Sequence, residues 1–169
     1  MGSDKNVVTG IYKTRNEAAV AVDRLMANGY KSADISVLMS DQTKTKEFAL
    51  STGTQATKGA GVGGAVGGTV GAALAAIAAV GTSLAIPGLG LVIAGPVAAA
   101  LAGAGAGAAT GGLVGLLVGA GIPEHRAKVY DSGLREGGIL LAVESKTKVD
   151  VDTIEALLEQ TGAVNVHKE

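Results

Sequence analysis

The chain has 169 residues, a formal net charge of −1, 2% aromatic residues and no cysteine. That length suits one domain or two small ones. The charge balance excludes a general nucleic-acid binder, the scarcity of aromatics excludes stacking platforms for bases or cofactors, and the lack of cysteine excludes disulfides and thiolate chemistry.

The N-terminal MGSDKNVV has no apolar run followed by a cleavage site, so a cytoplasmic protein, or one on the cytoplasmic face of a membrane, is expected. Residues 7–13 are rich in strand formers. Thr14-Arg15-Asn16-Glu17 has the spacing of a capping box, in which hydroxyl and carboxylate satisfy free amides at a helix start. The predicted helix presents Ala18, Val22, Leu25 and Met26 on one face and stops at Gly29. Ile35, Val37 and Met39 then alternate with Ser36, Leu38 and Ser40, which predicts a half-buried strand.

Between Lys58 and Glu124 no charged residue occurs, and residues 59–121 hold nineteen Gly and nineteen Ala. Glycines recur at every fourth position in two rows. The first is Gly59, Gly63, Gly67 and Gly71, continued by Ala75 and Ala79; the second is Ala99, Gly103, Gly107, Gly111, Gly115 and Gly119. Residues four apart share a helix face, so each row is a bare groove open to close backbone approach. The rows are mirror images about Gly88 and Leu89, which predicts an antiparallel helical hairpin packed groove against groove. A flexible linker has no reason to keep this period.

Past the block, Pro123 suits the first turn of a helix carrying Ala127, Tyr130 and Leu134, ended by Gly137-Gly138. Ile139–Ser145 reads as a strand. Asp150 or Asp152 caps a helix with Ile154, Leu157 and Leu158, closed by Gly162, and residues 163–167 read as a last short strand. The element order predicts an α+β fold. Residues 1–48 and 122–169 together would form one ferredoxin-like, four-stranded antiparallel sheet with helices, interrupted by the Gly/Ala-rich helical hairpin over residues 59–121.

The remaining motifs carry little chemistry. Gly59-Ala60-Gly61-Val62-Gly63-Gly64 fits GxGxxG but lacks the acidic residue that a dinucleotide site requires about twenty positions later. His125 and His167 are far apart in the sequence with no triad partners, and Asp150 and Asp152 fit capping better than acid–base work. No catalytic, cofactor-binding or metal-ligating residue, no cofactor and no small-molecule substrate is identified, and no enzyme activity is expected.

The hairpin must be sheltered from water. Residues 62–80 and 96–120 are each near the ~20 residues that span a bilayer, with Lys44, Lys46 and Lys58 before them and Arg126 and Lys128 after. The tip, residues 81–94, is uncharged and suited to lipid or to the underside of a neighbouring subunit. Self-association into a homo-oligomer with association to membrane lipid is the first reading. A soluble homo-oligomeric scaffold with hairpins bundled in a dry core is the second. A small-molecule sensor is the third, although the sequence locates no polar pocket for it.

Both ends of the chain carry a recognisable pattern. It comprises Val8-Thr9-Gly10-Ile11-Tyr12 with Thr14 and Glu17-Ala18, then Asn28-Gly29-Tyr30 with Asp34-Ile35-Ser36-Val37-Leu38. After the block come Gly121-Ile122-Pro123, Tyr130, Gly133-Leu134 and the run from Gly137 to Val143. The pattern resembles a bacterial general-stress-protein family of small heat-, salt- or low-temperature-induced proteins, which often carry a glycine-zipper block. The resemblance implies a stress-response role and brings no catalytic residue with it.

Overall fold

Every residue of the strand Ile35–Ser40 is buried, although its alternation predicts one wet face. Helices cover both faces of the sheet to which it belongs. The structure, a computed structural model, describes residues 6–48, 72–79, 82–86, 89–96, 105–145 and 147–168. In chain order the elements are β1 (Asn6–Tyr12), α1 (Arg15–Ala27), a 3-10 turn (Ser32–Asp34), β2 (Ile35–Ser40) and α2 (Asp41–Thr43), which runs on as a π-helical turn (Lys44–Phe48). There follow α3 (Ala72–Ala79), β3 (Thr82–Ile86), β4 (Leu89–Ala94), α4 (Gly105–Gly119), α5 (Glu124–Arg135), β5 (Ile139–Ser145), α6 (Lys148–Gln160) and β6 (Val164–Lys168).

The fold is α+β, and its sheet has six strands in the order β3-β4-β2-β5-β1-β6, every neighbouring pair antiparallel. This corrects the predicted four-stranded sheet. The strands foreseen in the two end segments lie side by side, and β3 and β4, both from the Gly/Ala-rich block, extend the sheet beyond β2. The helical turn predicted near Gly88 and Leu89 is replaced there by a β-hairpin, paired from Thr82↔Ile93 to Ile86↔Leu89. β-branched and aliphatic side chains explain the switch, because Leu91, Val92 and Ile93 fit a pleated surface covered on both sides. They are at most 1% exposed. Of the charge-free tip, β4 is thus an interior strand of the sheet and β3 its edge strand.

Alternate side chains feed two cores. On one face Val37, Met39 and Val92 meet Val22 and Leu25 of α1, Ile154 of α6, and Leu74 and Ile77 of α3. On the other, Leu38, Leu91 and Ile93 meet Leu113, Leu116 and Leu117 of α4 and Tyr130 of α5. The described parts of the two predicted hairpin helices, α3 and α4, therefore lie on opposite faces of the sheet. In α4 the backbone breaks at Gly112 (φ 58, ψ −142), in the left-handed half of the map that glycine tolerates and L-residues avoid. The second glycine row is accordingly not carried on one straight helix.

The helix starts follow local chemistry. Thr14 Oγ1 accepts from the Glu17 amide at 3.3 Å, as the capping box predicts. The face of α1 that packs inward carries Ala18, Ala19, Ala21, Val22 and Leu25, whereas Met26, expected among them, is 41% exposed. The cap of α6 is Thr147 and not Asp150 or Asp152. The Thr147 hydroxyl accepts from the Asp150 amide at 3.3 Å and donates to the Asp150 carboxylate at 2.7 Å. Asp152 instead pairs with Lys168 at 2.9 Å.

Tyr12, fully buried, ties β1 to the end of α6. Its hydroxyl lies 2.8 Å from Thr161 Oγ1 and donates to the Leu158 carbonyl at 3.2 Å. Burial pushes this phenol up to about 12, with the Thr161 hydrogen bond acting in the opposite direction. The unfolded phenol ionises near pH 10, so the neutral group's contribution is complete below that value and is lost as pH rises toward 12. Tyr12→Phe keeps the ring and removes both the hydrogen bond and the titration. In urea unfolding it should be about 1 kcal/mol less stable than the parent at pH 8, and this deficit should close and reverse between pH 10 and 12.

Candidate functional site

The residues singled out in the sequence divide sharply. Gly59, Gly63, Gly67, Gly71 and Gly103 lie outside the described residues. Gly107, Gly111, Gly115 and Gly119 are on α4. Gly111 and Gly119 are exposed and Gly115 is half-buried, and among the described residues no heavy atom lies within 4 Å of a Cβ built on Gly111 or Gly112. Leu113, Leu116 and Leu117 of the same helix are buried. One side of α4 is thus anchored in the core, and glycine positions remain open on its outer surface. His125 is exposed on α5 and His167 half-buried on β6.

A second feature, foreseen by no motif, lies where α5 crosses the end of β1. Gly133 brings helix and strand together, because a Cβ there would collide with Ile11 Cδ1. A Cβ on Gly138 would meet the carbonyl oxygens of Gly133 at 2.7 Å and Tyr12 at 3.0 Å. Beside this tight crossing, α5, the end of β1 and the start of β6 enclose a groove of about 560 Å³ that opens to solvent. Its polar lining comprises Lys13, Lys128, Ser132, Glu136 and Asn165. Val129 and Val164, 39% and 38% exposed, add apolar surface.

The β6 wall of this groove is irregular for an identifiable reason. The β1–β6 register shifts between Thr9 and Ile11. Asn165 takes φ 54 and is the only non-glycine with positive φ among the described residues. Asparagine is among the few residues that tolerate this region. Buried Tyr130 fixes the bend by donating its hydroxyl hydrogen to the Asn165 carbonyl at 2.8 Å while lying 2.8 Å from Thr9 Oγ1. Bulges of this kind re-aim side chains and are frequent beside functional sites. The sequence sign of the bend is a short polar residue, Asn165, inside an otherwise β-forming run.

The polar groups of the groove are unequally engaged. Lys128 pairs with Glu124 at 2.7 Å, and that contact holds the Glu124 carboxyl below its usual range. Ser132 Oγ donates to Glu136 Oε1 at 3.2 Å. Among the described residues, the Lys13 ammonium and the Asn165 side-chain amide have no hydrogen-bond or ion-pair partner.

Residues 7–85 match the heat induced stress protein YflT domain. The match runs from β1 through α1, β2, α2 and α3 into β3. No curated protein and no solved structure matches the chain significantly. The likeness noted in the sequence is therefore carried by the N-terminal strand–helix–strand unit and the start of the middle block. Residues 7–85 are thus similar to a bacterial family of heat-induced general stress proteins.

Proposed function

We propose that the chain acts in the stress response as a non-enzymatic, cytoplasmic protein that self-associates through its Gly/Ala-rich segment, assembling in water as a homo-oligomeric scaffold. The observation that carries this reading is the outer surface of α4. Gly111 and Gly119 are exposed there, with open space around a Cβ at Gly111, behind a helix anchored by Leu113, Leu116 and Leu117. Exposed glycine on either side of the break at Gly112 admits a second backbone at close range, where many weak dispersion contacts accumulate. Since α3 and α4 occupy opposite faces of the sheet, a helix partner for this surface comes more simply from another copy than from α3. The buried strand β4 favours assembly in water over insertion in lipid, because Leu91, Val92 and Ile93 already have protein on both sides. Among the described residues no helix is long and apolar enough to cross a membrane.

The test is the native mass of the full-length protein, prepared without detergent and measured by light scattering after size exclusion. The parent should run as a multimer. Gly111→Leu should fold normally, because no atom of the described residues stands within 4 Å of the added Cβ, yet move the mass toward the monomer. A monomeric parent, or an unchanged multimer in Gly111→Leu, overturns the proposal. Recovery of the parent only in the membrane pellet overturns assembly in water and favours the lipid reading.

A further inference from the structure

We propose that the groove between α5, the end of β1 and the start of β6 binds a small zwitterion with an apolar flank, of the size and charge pattern of an aliphatic amino acid. Lys13 and Glu136 line the same groove, yet they form no ion pair with each other. Lys128, the other cation there, is already met by Glu124. The groove thus offers one uncommitted positive and one negative group held apart, which suits a ligand carrying both charges better than a plain anion or cation. The ligand carboxylate would take Lys13 and the Asn165 amide, and its ammonium would take Glu136, whose second oxygen is not engaged by Ser132. An aliphatic side chain would cover Val129 and Val164.

Two further observations support a built site over a chance hollow. The strained backbone at Asn165 is held by a buried tyrosine, so the bend that carries its side-chain amide into the groove is fixed before any ligand arrives. The volume of about 560 Å³ also falls within the range of ligand pockets, roughly 300–1,000 Å³. Because the groove opens to solvent and its charges are exposed, affinity on the order of millimolar is expected.

Ligand-observed saturation-transfer NMR on the full-length protein tests this with three probes: L-leucine, 4-methylpentanoate, which lacks the ammonium, and 3-methylbutylamine, which lacks the carboxylate. Leucine should bind saturably, and each single-charge probe about fivefold or more weakly. Lys13→Met and Glu136→Gln should each weaken leucine by a similar factor without changing the melting temperature. Asn165→Gly, which keeps the backbone bend and deletes the amide, should also weaken it. Lys31→Met, an exposed cation outside the groove, should leave binding unaltered. Three results overturn the proposal: no saturable leucine binding up to about 50 mM, binding indifferent to both Lys13→Met and Glu136→Gln, or single-charge probes that bind as well as leucine. The outcome is independent of self-association, because Gly111→Leu leaves every groove residue in place.

Discussion

Ile93→Asp should destroy the folded state. Ile93 is the penultimate residue of β4, paired with Leu38 on one side and Thr82 on the other, and it is 1% exposed. Its side chain enters the core formed by Leu38, Leu91 and the leucines of α4. A carboxylate there has no partner, so it must either stay ionised at a cost of several kcal/mol or be protonated and lose hydrogen bonds to water. Against a total stability of roughly 5–15 kcal/mol, that change removes most of the margin. Ile93→Ala is the graded companion: it should remain folded but lose about 2–5 kcal/mol in urea unfolding. Were this segment the tip of a helical hairpin in lipid or under a neighbouring subunit, Ile93→Asp would alter assembly and spare the sheet. A cooperative melt of the aspartate variant at the parent temperature would show that β4 is not an interior strand.

Gly138→Val is the second large effect. The glycine sits between the end of α5 and β5, and its amide donates to the Gly133 carbonyl at 2.8 Å. A Cβ would press on that same carbonyl oxygen at 2.7 Å and on the Tyr12 carbonyl at 3.0 Å. Both obstacles are backbone, so no rotamer change relieves them, and the helix must move off the strand. The expected cost is about 3 kcal/mol, read by chemical denaturation. Gly133→Ala should be milder, because the obstructing atom is the flexible end of the Ile11 side chain. Equal costs at the two positions would refute this account of the crossing.

The elements legible in the sequence are those whose signals are local. Thr14 announces α1, Pro123 and Gly137 bracket α5, and the apolar run of Ile139–Ser145 marks the strand at the centre of the sheet. β3 and β4 were hidden by the composition around them. Glycine and alanine have no large side chain to reveal which face is covered, so a four-residue period in them was extended across a segment of different character. Leu89–Ala94 had the marks of a short buried strand, an apolar run flanked by Pro87-Gly88 and Gly95-Pro96. The cap at Thr147 has a simpler cause, since threonine caps as aspartate does and the residue types at 147, 150 and 152 do not by themselves say which one precedes the helix. The groove was not legible at all. Lys13, Glu136 and Asn165 are scattered along the chain, and only the β1–β6 register and the reach of Tyr130 bring them together.

The position of β5 between β1 and β2 has a consequence for biosynthesis. These two early strands never touch as neighbours; each waits for the same late segment to slot between them. A nascent chain therefore leaves the ribosome with their inner edges unpaired, and native pairing of those inner edges begins only once Ile139–Ser145 has been made. Such open edges are the surfaces on which growing chains aggregate and which chaperones shield. A chain whose N-terminal part is similar to a heat-induced stress domain thus completes its own sheet only when synthesis is nearly over.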